Sequence, residues 1–231
     1  DVVMTKNGDL WIGAYGSGLF HHDGKQVKAV GRDNGLLNKN ISCLLPDKTQ
    51  SQLYIGTVGG GLYRMDISSR KIVRMPLKAS LVFALYLDHL NRLWVGGTEC
   101  YCFDTEKNKV FPFTFKGLEN GMIQSFLEVN GQMHIGTTNG LYLYDEPSDA
   151  CHHFPFLEDG INTTVLSMIQ SGQWIWMSTN KGLMRFHPKN HQMRFYASYE
   201  TRRVGDFHRN AVCKGSDGML YFGGDHGLVS F

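Results

Sequence analysis

The stretch Leu53-Tyr54-Ile55-Gly56 is one of six hydrophobic tetrads that recur along the chain and end, with one exception, in glycine. The other five are Leu10-Trp11-Ile12-Gly13, Leu93-Trp94-Val95-Gly96, Met133-His134-Ile135-Gly136, Ile175-Trp176-Met177-Ser178 and Leu220-Tyr221-Phe222-Gly223. Counted from their last residues, the tetrads are 43, 40, 40, 42 and 45 residues apart. A regular period of this length indicates a fold built from repeated supersecondary units.

Each tetrad lies among three other strand-like segments. In the second unit, the apolar run Ile41-Ser42-Cys43-Leu44-Leu45 precedes the tetrad, Gly61-Leu62-Tyr63-Arg64-Met65-Asp66 follows it, and Lys71-Ile72-Val73-Arg74-Met75 comes last. Turns rich in Gly, Asn and Asp join these segments, as in antiparallel hairpins. No stretch sustains the apolar spacing of an amphipathic helix, so we expect essentially no helix. The pattern predicts one four-stranded antiparallel sheet per unit.

The strands are apolar on both faces, which indicates how the sheets pack. Leu93-Trp94-Val95 and the run from Leu81 to Leu87 do not alternate with polar residues, so each sheet is expected to lie between two others. An all-β β-propeller of about six four-stranded blades fits this pattern. The predicted repeats of this single propeller domain or fragment span approximately 1–40, 41–80, 81–120, 121–161, 162–206 and 207–231.

Three finer expectations follow from the propeller. The sixth unit lacks its fourth strand. The sequence is therefore compatible with two alternatives, a six-bladed ring and part of a seven-bladed ring. The glycine of each tetrad is expected where the chain leaves the strand and turns tightly. The aromatic residues at the second tetrad position are expected between blades rather than on a ligand platform: Trp11, Tyr54, Trp94, Trp176 and Tyr221.

Composition excludes several classes of protein. The 231 residues carry a formal net charge of +2, which argues against a dedicated nucleic-acid binder or a basic membrane-surface segment. The longest apolar run, Leu81 to Leu87, is far shorter than the roughly 20 residues of a membrane-spanning helix. The chain opens directly on a strand-like stretch, so we expect Asp1 to lie at a fragment boundary.

The cysteines and histidines do not form a recognisable site. Cys43 and Cys213 fall in apolar first strands and are predicted to be small buried hydrophobes. Cys100-x-Cys102 and Cys151-His152-His153 resemble a soft-metal cluster only superficially, because their spacing does not match that of zinc sites. Free thiols are favoured over a disulfide that uses Cys151. We predict no metal, no cofactor and no catalytic residue.

The units resemble the two-component regulator propeller repeat. The resemblance rests on Asn34-Gly35-Leu36, then Leu53-Tyr54-Ile55-Gly56-Thr57, then Gly60-Gly61-Leu62-Tyr63-Arg64-Met65-Asp66, and it weakens in units three and five. Such repeats form the periplasmic sensor region of hybrid two-component histidine kinases of Bacteroidetes, which sense oligosaccharides. The resemblance therefore implies a periplasmic, ligand-sensing propeller that is not itself an enzyme, although the full-length protein would be a histidine kinase.

The same resemblance implies the partners. They are an oligosaccharide or another small ligand, the remaining propeller and an Ig-like module of the same receptor, with homodimerisation left open and no nucleic acid. This segment itself is expected to lie outside the membrane. The alternative functions are a propeller enzyme of the streptogramin-lyase or glycosidase type and a protein-interaction scaffold.

Ligand contacts are expected on loops that depart from the repeat, because scaffold positions recur whereas recognition positions need not. The turns after the tetrads and the links between units lie on one face of a propeller. The predicted ligand-binding residues of the turns are Tyr15, Glu99, Asn139, Lys181, Asp225 and His226. Those of the links are Arg32, Asn34, Arg202, Arg203 and His208.

Overall fold

A computed structural model describes residues 1–105, 107, 109–113, 118, 121–154, 163–197 and 204–231. The described residues form 23 strands and one short 3-10 turn at Arg32–Asn34, which confirms the all-β prediction. The fold is a β-propeller built from consecutive antiparallel sheets, called blades 1 to 6 below. None of the described helical segments is long and apolar enough to cross a membrane.

The chain consists of two compact units, Asp1–Phe113 and Thr114–Phe231, each of which holds three blades. In the first unit, blade 1 comprises β1 (Val2–Met4), β2 (Leu10–Ala14), β3 (Gly18–His22) and β4 (Val27–Val30). Blade 2 comprises β5 (Ile41–Pro46), β6 (Gln52–Thr57), β7 (Gly61–Asp66) and β8 (Ile72–Arg74). Blade 3 comprises β9 (Val82–Leu87), β10 (Arg92–Gly97), β11 (Cys100–Asp104) and β12 (Lys109–Phe113).

The second unit repeats this arrangement. Blade 4 comprises β13 (Ile123–Val129), β14 (Gln132–Thr137), β15 (Gly140–Asp145) and β16 (Ala150–Phe154). Blade 5 comprises β17 (Val165–Ser171), β18 (Trp174–Thr179), β19 (Gly182–Phe186) and β20 (Met193–Ala197). Blade 6 has three strands among the described residues, β21 (Phe207–Lys214), β22 (Leu220–Gly224) and β23 (Gly227–Ser230), as predicted for an incomplete last repeat.

Neighbouring blades of a unit bury apolar side chains between their faces. In the first unit, Trp11 and Leu19 of blade 1 pack with Ile55 and Met65 of blade 2. In the second unit, a comparable core joins blades 4 and 5, and another joins blades 5 and 6. These cores explain why the strands are apolar on both faces. At the second tetrad position, Trp11, Tyr54 and Trp94 are buried, whereas Trp176 and Tyr221 are half-buried.

The tetrad glycines are required for a different reason from the one expected. Gly56 lies inside β6 and Gly136 inside β14, so neither stands at a turn. A Cβ atom on Gly136 would lie 2.4 Å from the Ser125 hydroxyl and 2.8 Å from a methyl group of Val165 on the next blade. Packing against the first strands therefore excludes a side chain there, and the prediction of a tight turn was wrong.

The cysteines are free thiols in different surroundings. Cys43, Cys100 and Cys102 are buried, and Cys151 is half-buried. Cys213 is exposed, which contradicts its prediction as a buried hydrophobe. It lies one residue before the end of the described β21, beside the hairpin to β22, with Tyr221 as its register partner. Among the described residues, no three His, Cys, Asp or Glu side chains are grouped so that they could hold a metal ion.

Candidate functional site

The first strand of blade 6 departs from the repeat through an enlarged bulge. In blades 2 to 5, one residue of the first strand bulges out of the ladder: Ser42, Phe83, Gln124 and Leu166. In blade 6, Phe207 pairs with Gly224 and Val212 with Phe222, so the four residues from His208 to Ala211 lie opposite Gly223 alone. Bulges commonly redirect side chains beside functional sites, which makes this segment the main candidate.

Contacts with two other blades hold the bulge in place. The Ser167 hydroxyl of blade 5 donates to the His208 carbonyl at 3.2 Å. The Arg209 guanidinium donates through Nη1 to Oε1 of Gln124, the bulged residue of blade 4, at 3.2 Å. The Gln124 side chain is almost fully buried and also donates through Nε2 to the Met122 carbonyl at 3.3 Å. Arg209 is thus oriented by a buried amide of a blade two positions away.

The backbone of the bulge is also specialised. Asn210 has a φ of 57°, in the left-handed region that asparagine tolerates better than most residues. On the facing turn, the Asp225 N–H donates to the Asp206 carbonyl at 3.1 Å, and the His226 N–H donates to the Val204 carbonyl at 2.9 Å. These two bonds tie the turn after β22 to the segment that enters β21.

A close side-chain contact joins the bulge to this turn. His208 Nε2 lies 2.7 Å from Asp225 Oδ1, and both side chains are about half exposed. Together with Gln124, Arg209, Asn210 and His226, this pair forms what we call the bulge site. The site presents imidazole, guanidinium, amide and carboxylate groups side by side, so it can both donate to and accept from a ligand that is rich in hydroxyl groups.

The predicted residues Asn139 and Lys181 lie on turns that a buried threonine organises. In blade 4, the Thr137 hydroxyl donates to the Gly140 carbonyl at 3.0 Å and accepts from the Asn139 N–H at 3.0 Å. Thr179 makes the same pair of bonds with Gly182 and Lys181 in blade 5. Both predicted residues are half-buried, so their backbones serve the repeat and only parts of their side chains are accessible.

The predicted residues of the first unit lie on separate turns. Tyr15 is exposed on the turn after β2, and Glu99 is exposed on the turn after β10, where it accepts from the Thr98 hydroxyl at 2.6 Å. Arg32 and Asn34 belong to the 3-10 turn that links blades 1 and 2. The Asn34 amide oxygen accepts from the Gly31 N–H at 3.3 Å, which is a local structural role.

The structure therefore brings together three of the eleven predicted ligand residues, His208, Asp225 and His226. The predicted residues Arg202 and Arg203 lie outside the described residues. Sequence reasoning missed Gln124, Arg209 and Asn210. The only available signal was the length of the segment between Phe207 and Gly223, which exceeds the corresponding segments of blades 4 and 5.

Comparison with known proteins agrees with the fold. No family model matches the chain. The extracellular domain of BT4673, assigned to the one-component or hybrid two-component systems of B. thetaiotaomicron, aligns with all of this chain with a TM-score of 0.84 and 23% identity. The extracellular domain of BT3049, assigned to the hybrid two-component systems of the same organism, also aligns along the whole chain, with a TM-score of 0.79 and 21% identity.

One curated relative has a comparable identity. Histidine kinase P4 of Formosa agariphila is 22% identical over 245 residues, a match that includes 96% of this chain. The chain spans 18% of that kinase, and it spans 31% and 33% of the two solved domains. At these identities, the likenesses establish that the chain has the β-propeller fold of those sensor domains.

Proposed function

We propose that this chain is the ligand-sensing propeller portion of an extracytoplasmic sensor whose output is a histidine kinase. The single observation that carries the proposal is the bulge site. There blade 6 departs from the repeated strand pairing and groups polar side chains, and contacts with blades 4 and 5 hold the bulge in place. The likeness to extracellular sensor domains and to a histidine kinase supports this role. Because one fold can host many functions, the function is inferred from the side chains of the bulge site rather than from the propeller fold itself.

We further propose that the ligand is an oligosaccharide. A sugar presents many hydroxyl groups, each of which donates and accepts, and the bulge site offers both kinds of partner close together. The Asn210 amide both donates and accepts, Arg209 only donates, and the Asp225 carboxylate only accepts. Hydrogen bonds to Ser167 and Gln124 hold the bulge in position, so binding has less conformational freedom to remove.

Thermal unfolding with a panel of neutral and uronate-bearing oligosaccharides tests this proposal. A ligand present at about 100 times its Kd should stabilise the fold by about 2.7 kcal/mol. For a domain of this size, that corresponds to a rise in Tm of about 5–10 °C. Turnover of the sugar by the purified protein would instead favour a propeller enzyme.

Two variants locate the binding site. Asn210→Gly removes the amide, and because the φ of 57° suits glycine, it should leave the backbone unchanged. Arg209→Ala removes the guanidinium and should weaken binding by about 1.5–3 kcal/mol if the guanidinium contacts the ligand. Arg74→Ala, on the outer strand of blade 2, is the matched control and should bind normally. Unchanged affinity in both bulge variants would place the ligand elsewhere.

A further inference from the structure

Two arginines lie opposite each other in the register of the third and fourth strands of blade 5. In the register of β18, β19 and β20, Trp176 lies opposite Arg185, and Arg185 lies opposite Arg194. Residues directly opposite in an antiparallel pair have their Cβ atoms within about 4.5–5.5 Å, so the two side chains leave the same face of the sheet side by side. Like charges in this arrangement destabilise a sheet.

Aromatic rings hold both guanidinium groups. The Arg185 Cζ atom lies 4.4 Å from the ring centroid of Trp174 and 6.0 Å from that of Trp176. The Arg194 Cζ atom lies 5.0 Å from the ring centroid of Tyr196. When an aromatic ring covers the face of a guanidinium, the N–H groups still point outward from its edges. They can therefore donate to an acceptor.

Nothing in the described part of the chain neutralises this pair. Neither guanidinium has a carboxylate partner or a hydrogen bond among the described residues, and Arg185 Nε is buried without an acceptor. A buried donor without a partner costs roughly 1–3 kcal/mol. The repeat does not require this arrangement, since in blade 4 the residues at the equivalent positions are Leu143 and His152.

We propose that Arg185 and Arg194 form a binding site for an oxyanion, namely the carboxylate, sulfate or phosphate group of a small ligand. An oxyanion placed between the guanidinium groups accepts from the exposed N–H groups of both, which removes the repulsion between them. Arginine suits this role because its planar fork matches the geometry of these anions. The site uses no residue of the bulge site, so it does not depend on the proposed function.

Thermal unfolding in the presence of sodium sulfate, sodium phosphate or sodium acetate tests the proposal. Sodium chloride keeps the ionic strength constant, so that general screening does not contribute to the difference. We expect at least one oxyanion to raise the Tm of the unaltered chain above the chloride reference, with saturation. The order of the three anions identifies which oxyanion the site prefers.

Three variants connect the effect to the pair. Arg194 is exposed, so Arg194→Gln should keep the fold, which its circular dichroism spectrum checks. Arg194→Gln should weaken oxyanion binding at least tenfold, and Arg194→Lys should restore it only in part because lysine lacks the fork. Arg74→Gln, whose opposite residue on blade 2 is Tyr63, should bind as the unaltered chain does. An equal oxyanion effect in Arg194→Gln and the unaltered chain, or no effect beyond chloride, would overturn the proposal.

Discussion

Acid should destabilise the fold through His134, which occupies the second tetrad position of blade 4. Its side chain is fully buried, and the ring lies 6.2 Å from that of Phe186 on blade 5. Nδ1 of the ring lies 3.1 Å from the Gln132 carbonyl, and Nε2 is buried without a hydrogen bond of good geometry among the described residues. Burial lowers the pKa of His134 from 6.5 to about 4, so the ring is neutral in the folded state at pH 7.

The sign of the pH dependence follows from this shift. Above pH 6.5, His134 is neutral in both the folded and the unfolded chain and costs no stability. Between pH 6.5 and pH 4, the unfolded chain binds a proton that the folded chain does not, so stability falls as the pH falls. At about 1.4 kcal/mol per pKa unit, the full loss approaches about 3 kcal/mol, and about 2 kcal/mol of it is reached by pH 5.

Urea unfolding at pH 7.5 and pH 5.0 measures this loss. His134→Phe removes the titrating group and keeps a ring between the blades, so its free energy of unfolding should depend on pH by about 2 kcal/mol less than that of the unaltered chain. His152→Gln, an exposed histidine of the same blade, is the control for general acid effects and should follow the unaltered chain. An equal pH dependence in His134→Phe and the unaltered chain would refute the reasoning.

Three further predictions concern packing and exposure. Trp94→Ala should lower the free energy of unfolding by about 3–5 kcal/mol in urea titrations. The reason is that Trp94 is buried and donates to the buried Asp88 carboxylate at 2.9 Å. A loss below about 1 kcal/mol would contradict this. Gly136→Ala should lower the free energy of unfolding by about 1–3 kcal/mol through overpacking and should lower the cooperativity of unfolding. In the control Gly131→Ala, no atom lies within 4 Å of the added Cβ, so the only loss of stability should come from the strain of its φ of 77°. Iodoacetamide should modify Cys213 faster than the three buried cysteines, as peptide mass spectrometry would show, and modification of a buried thiol first would contradict the structure.

The repeat made most of the fold predictable. The tetrads marked the second strand of every blade, and apolar residues on both strand faces indicated sheets stacked against sheets. The conformation of the glycines was not predictable in the same way, because a glycine required by a turn and one required by close packing look alike in sequence. Gly131, with a φ of 77° and no atom within 4 Å of an added Cβ, is of the first kind, and Gly136 is of the second.

The bulge site was predictable only in part, for a similar reason. Extra residues between the start of a first strand and its tetrad can lengthen either the hairpin turn or the bulge. Blade 2 carries its extra residues in the turn between Pro46 and Leu53, whereas blade 6 carries them between Phe207 and Val212. Spacing alone does not separate these cases, so Arg209 and Asn210 could not be chosen before the register was known.

The contacts of the bulge explain how one irregular segment can be placed accurately in a repetitive fold. A four-residue bulge on an isolated strand would sample many backbone conformations, and each ordered residue would cost about 1–2 kcal/mol of conformational entropy. The repeat offsets this cost, because Ser167 and Gln124 occupy positions that recur in blades 4 and 5 and are already fixed by their own sheets. The regular blades thus provide hydrogen-bond partners of fixed position. Blade 6 can therefore leave four residues out of the β21–β22 pairing and group polar side chains that the repeat by itself does not bring together.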